Sequence, residues 1–154
     1  MSKRVFALLV GLLALVLLVA GCGGGGDSSS EALTKAEFIK QGDEICKKAE
    51  AQLEDEAEEF AEENEIDTEN PSKVEKEEVI ETVVAPALHR QAEEIGELGA
   101  PSGEEEAVEE ILEALETGAD ELEAEPQKLF SSESPIEEAG TLAQEFGFKE
   151  CGGE

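Results

Sequence analysis

The chain has 154 residues, with 40 acidic against 11 basic side chains and a formal charge of −29 at neutral pH. A phosphate backbone is bound by a basic footprint, so this balance excludes nucleic acid as a partner. Six Phe with no Trp or Tyr leave a core of mainly Ala, Leu, Ile and Val, enough for one domain of roughly 120 residues.

The N-terminus reads as an export signal. Lys3 and Arg4 form a short positive region, and Val5 to Ala20 follow without a charged or strongly polar side chain. That run is shorter than the roughly 20 residues that cross a bilayer comfortably as a helix. It ends in Val19-Ala20-Gly21-Cys22. Small residues let a peptidase bind the chain extended, and the thiol after them is a group that a lipid can alkylate. The four residues resemble the bacterial lipobox, which implies diacylglycerol on Cys22 and cleavage just before it. The competing reading is an uncleaved signal anchor with Cys22 as a bystander. Two acyl chains, palmitate among them, anchor stably where one binds only marginally. Residues 1–21 are thus expected to be a signal peptide. Residues 22–32 are the lipidated Cys with a flexible linker, Gly23 to Gly26 then Asp27-Ser28-Ser29-Ser30. Residues 33–154 form the exported domain.

Removing residues 1–21 takes away Lys3 and Arg4 and no acid, leaving 9 basic against 40 acidic residues, a formal charge of −31. Of these acids 35 are Glu and five Asp. Glu favours helices where Asp does not, so the bias belongs to solvated helix faces rather than metal-binding loops. Acidity with few aromatics also marks disordered chains, but here the apolar residues are periodic.

Four helices follow in order. The first opens at Thr34 with Glu37 three residues on, a capping box in which hydroxyl and carboxylate satisfy orphan N–H groups. Its stripe is Phe38, Gly42, Cys46, Ala49, Leu53, Ala57 and Phe60, flanked by Ile39 and Ile45. It fades by Asn64, and Asn70-Pro71 is a turn. The second opens at Ser72 with Glu75, runs along Val79, Ile80, Val83, Val84, Leu88, Ala92 and Ile95, and ends at Leu98-Gly99. Pro86 lies inside it and is expected to kink or split it. The third follows Pro101, with Ser102 and Glu105 as its box, and ends before Pro126. The fourth starts with Ser134 as N-cap, Pro135 at the first helical position and Glu137 at the third, and ends at Gly147. No strand pattern of useful length occurs. The expected fold is all-α, an antiparallel bundle of three long helices and one short C-terminal helix.

If Cys22 carries lipid, Cys46 and Cys151 remain, and an even pair in an oxidising compartment suggests one disulfide. Two unpaired thiols are the alternative. Three phrases resemble a group of small, uncharacterised lipoproteins of actinobacteria. They are Phe38-Ile39-Lys40-Gln41-Gly42-Asp43-Glu44-Ile45-Cys46, then Pro86-Ala87-Leu88-His89-Arg90-Gln91 with Leu98-Gly99-Ala100-Pro101, and Ala143-Gln144-Glu145-Phe146-Gly147-Phe148-Lys149-Glu150-Cys151-Gly152. Gly42 departs from the small helix former more usual in that group. The resemblance implies a helical domain with the two Cys bridged, and implies no activity.

Chemistry-bearing groups are sparse. His89 is the only histidine, with no evident nucleophile beside it, and reads as a helix-surface residue near acids. Carboxylate pairs such as Glu104-Glu105-Glu106 and Glu109-Glu110 are solvated helix faces. Asp67-Thr68-Glu69-Asn70 lacks the Gly and closing Glu of an EF-hand loop. No CxxC, GxGxxG or P-loop is present, so no catalytic residue, cofactor or metal is assigned. The expectation is a non-enzymatic, membrane-anchored lipoprotein that binds an exported protein or a small molecule of unknown identity. A passive, charge-bearing surface protein is the alternative. Most acids lack a basic neighbour, so self-repulsion opposes the compact state. The melting temperature should therefore rise between about 0.01 M and 0.15 M salt, as the screening length falls from roughly 30 to 8 Å. An unchanged value would contradict that.

Overall fold

Thr34 and Glu37 begin the first helix as their spacing predicts. The Glu37 N–H donates to Thr34 Oγ1 at 3.3 Å, and the Thr34 N–H donates back to Glu37 Oε2 at 3.0 Å. The Thr34 hydroxyl, donating to Glu37 Oε2 at 2.6 Å, and then the Thr34 N–H lower the Glu37 pKa from its ordinary value, because they favour the charged form. In the computed structural model, which describes residues 32–152, helix α1 spans Lys35–Glu63. The signal segment, the lipidation of Cys22 and the linker up to residue 31 lie outside the described residues.

Helix α1 stops in a hydrogen-bonded cap. The Ile66 N–H reaches the Ala61 carbonyl at 2.9 Å and the Glu65 N–H the Glu62 carbonyl at 3.3 Å. That 6→1 and 5→2 pair is a Schellman motif, and it places Glu65 at φ 55°, a left-handed position usually given to Gly. The chain then turns at Asp67, whose Oδ1 accepts the Glu69 N–H.

The second capping box also forms: the Ser72 N–H donates to Glu75 Oε2 at 2.6 Å, and the Glu75 N–H to Ser72 Oγ at 3.2 Å. Helix α2, Lys73–Val79, runs without a break into π-helical Ile80–Val84 and then helix α3, Ala85–Gly96. Pro86 therefore neither ends nor splits the rod. Proline clashes with the carbonyl four residues back, here that of Thr82. In the π turn a carbonyl pairs five residues on, as Ile80 O does with the Ala85 N–H, which redirects the offending register.

Helix α4 covers Glu105–Ala124, a 3₁₀ turn covers Pro126–Phe130, and helix α5 covers Glu137–Phe146. Here two expected caps fail. Ser102 does not cap α4, because Gly103 adopts φ 87° and its N–H takes the Glu105 carboxylate instead. The Glu104 N–H closes a turn onto the Pro101 carbonyl, and the helix begins after it. Ser134 does not cap α5 either. The Glu137 N–H bonds the Ser134 carbonyl in a three-residue turn, and the helix starts two residues later than expected. The Pro135 carbonyl presses on α4, 2.8 Å from where a Cβ on Gly118 would stand. Ser134 Oγ is buried without a hydrogen-bond partner among the described residues.

The described residues form an all-helical antiparallel bundle with no strand. Packing fixes the directions. At one end Phe38 of α1 shares a cluster with Ile95, Val108, Ile111 and Phe146. Ala92, Leu115 and Ala139 fill the middle. Ile80, Ala85 and Leu122 fill the other end.

The chain past α5 docks on the first turns of α1. Gly147, at φ 120°, ends α5 in a second Schellman motif, with its N–H on Gln144 O and the Phe148 N–H on Ala143 O. Phe148 then joins Phe38 and Phe146, with ring centroids 5.5–5.9 Å apart. Lys35 Nζ caps the group 4.1 Å above the Phe146 ring. Asp43 Oδ1 accepts the N–H groups of Lys149 and Glu150, both at 2.9 Å. One turn on, Cys46 is bonded to Cys151 across a sequence separation of 105. Gly42 belongs to this contact, since a Cβ there would lie 2.4 Å from Cε1 of the Phe148 ring, which is buried. Ala is the better helix former by about 1 kcal/mol, yet Gly42→Ala should destabilise the domain by roughly 1–3 kcal/mol through overpacking. Denaturant unfolding reads the sign, and a more stable variant would refute the packing account.

Candidate functional site

The residues singled out in the sequence fall in separate places. Cys46 and Cys151 form the disulfide and hold the tail. Gln91 of α3 donates from Nε2 to Cys46 Sγ at 3.0 Å, a weak acceptor. With both Cys oxidised, no free thiol exists among the described residues.

His89 sits one helical face away. Its Nε2 is 3.4 Å from Asp120 Oδ1 across the α3–α4 contact. Asp120 and Glu123 share a face of α4, and one ligand atom from each of these three residues lies within 4.8 Å of the others. Sequence reading placed His89 near acids and did not identify which, because the α3–α4 register is a tertiary fact. His89 is half-buried, whereas Asp120 and Glu123 are exposed. Exposed carboxylates keep their water, so such surface contacts add little to stability.

An apolar concavity lies at the far end of α1, about 35 Å along the helix from Thr34 at 1.5 Å per residue. It is a groove of about 310 Å³ between the last turns of α1, the π segment and the 3₁₀ turn. Ala57 and Ala61 of α1 form one wall, and Ile80 and Val84 of the π segment another. Ile66 reaches it because the Glu65 cap turns the chain back over α1. Leu129 and Phe130 close the third side. Phe130 is 66 % exposed, the largest exposed apolar side chain among the described residues.

Glu75 and the exposed Lys76 are the charged residues that line the groove, and the α1 stretch beside it is acidic. No residue from 49 to 72 is basic, while Glu54, Glu58, Glu62 and Glu65 are exposed along this stretch. Of the nearby lysines, Lys128 is already paired with Glu121 and Glu125, at 3.2 and 2.6 Å. Those two carboxylates raise the Lys128 pKa above its ordinary value.

Sequence reading missed this groove. The Pro126–Phe130 turn lies between two periodic segments, and Pro126 reads only as a helix end. The visible signal is Leu129-Phe130, an apolar pair in an otherwise polar connection.

No protein-family model, curated protein or solved structure matches the chain.

Proposed function

We propose that the chain is an extracytoplasmic lipoprotein, tethered to the cell membrane through Cys22. In this reading its helical domain is a non-enzymatic binding module for an exported protein. The observation that carries the binding part is the apolar groove with Phe130 exposed at its rim. An apolar groove with an exposed aromatic rim, on a chain with 33 % charged residues, supports the reading of an interaction surface.

The surround selects the occupant. A segment with an apolar face fits the groove floor, and flanking Lys or Arg side chains suit the carboxylates of α1. That pattern is an amphipathic helix laid in a groove. Complementary charge speeds encounter and rejects acidic competitors. The anchoring part rests on the positive region, apolar run, small residues and Cys22 of the first 22 residues.

Two measurements test the reading. Mass spectrometry of the membrane-bound protein should find a chain beginning at Cys22 with diacylglycerol attached, and Cys22→Ser should abolish the modification. A chain retaining residues 1–21 with an unmodified thiol would refute the anchor. A photo-crosslinking side chain at position 130, in native membranes, should yield one discrete adduct to a basic amphipathic segment, weakened by salt. The same group at Glu109, near the other end, should not yield it. Equal or absent adducts at both positions would favour the passive, charge-bearing reading.

A further inference from the structure

A second concavity, distinct from the groove, is a partly open cleft between the helices of the bundle. It has a volume of about 160 Å³ and sits between α3, α4, α5 and the C-terminal tail. Ile95, Ile111, Leu115 and Phe148 line it, each at most 8 % exposed. The space exists because α5 presents Ala139 and Ala143 to these large side chains. Gly140 beside them is held small by the tail, since a Cβ there would stand 3.0 Å from the Gly152 carbonyl oxygen.

Protein interiors contain few voids larger than a water molecule. An apolar cavity of about 150 Å³ stays dry and binds benzene. Here the walls are similarly apolar, but the mouth carries one polar side chain. The half-buried Gln91 amide sits there beside Cys151. Among the described residues its Nε2 donates to the disulfide sulfur of Cys46, and an oxygen acceptor would form a stronger bond.

We propose that this cavity is a binding site for a small, mainly apolar molecule, the size of one aromatic ring, carrying a single oxygen acceptor that faces Gln91. The site uses no residue of the groove and does not depend on lipidation of Cys22. It adds a small-molecule ligand to the protein partner proposed above.

The chain has seven Ile residues, of which Ile95, Ile111 and Ile136 line the cavity. This makes Ile-methyl NMR of the full chain in detergent a direct probe, with benzene and phenol as ligands. Benzene should shift the methyls of these three saturably, while Ile39 and Ile45 report only the micelle background and Ile66 and Ile80 report separately on the groove. Phenol should saturate at a roughly five- to ten-fold lower concentration, the worth of one hydrogen bond. Gln91→Leu should remove that preference and keep benzene binding. Ala139→Leu fills the space, so it should abolish saturable shifts and raise the unfolding midpoint. Should that variant fail to fold, Ala139→Val is the smaller filler with the same expectation. Proportional, unsaturable shifts at all seven methyls would overturn the site. An unchanged phenol preference in Gln91→Leu would overturn the role of Gln91.

Discussion

The seam between the start of α1 and the C-terminal tail holds this bundle closed. Phe38, Gly42, Asp43 and Cys46 occupy one face of α1, and each meets a different feature of the tail. Phe38 packs against the tilted Phe148 ring, Gly42 makes room for that ring, Asp43 accepts two backbone N–H groups, and Cys46 makes the covalent bond. The tail is too short to hold itself in place, yet through Phe148 it completes the largest buried cluster. The seam also joins chain segments more than a hundred residues apart, where a covalent link restricts the unfolded chain most. A chain carrying 40 acids needs such a restraint, because its surface repels itself and its core is built largely from small side chains.

Much of this was legible in the sequence, and the failures share a cause. The boxes at Thr34–Glu37 and Ser72–Glu75 form as read, since a box depends only on residues within one turn. The Ser102–Glu105 and Ser134–Glu137 patterns are equally good locally. They lose to tertiary demands: the left-handed Gly103 in one case, and the pressing of Pro135 onto Gly118 in the other. Pro86 follows the same logic. Proline chemistry calls for relief of a clash, and the neighbouring packing settles how, through a π turn that keeps Ile80, Val83 and Ala85 buried. Gly42 reads as a weak helix residue until Phe148 is seen against it.

Sites were less legible than elements. The disulfide followed from counting Cys, an argument that needs no geometry. His89 near acids was read from composition, but Asp120 as its neighbour required the α3–α4 register. The groove and the cleft beside α5 were invisible because each is made by what is missing. A short irregular connection leaves Phe130 uncovered, and Ala139 and Ala143 leave space between larger side chains. A stripe of apolar residues looks the same in sequence whether its core is full or hollow.

The central claim is that the tail seam carries a large share of the stability. Denaturant unfolding of the full chain against its Cys46→Ala/Cys151→Ala variant, with hydrogen exchange at Lys149 and Glu150, tests it most directly. The account predicts a loss of about 4–5 kcal/mol on the chain-entropy estimate for a loop of this length, together with faster exchange of the two amides that Asp43 holds. Stability within about 1 kcal/mol of the parent, with both amides still protected, would contradict it.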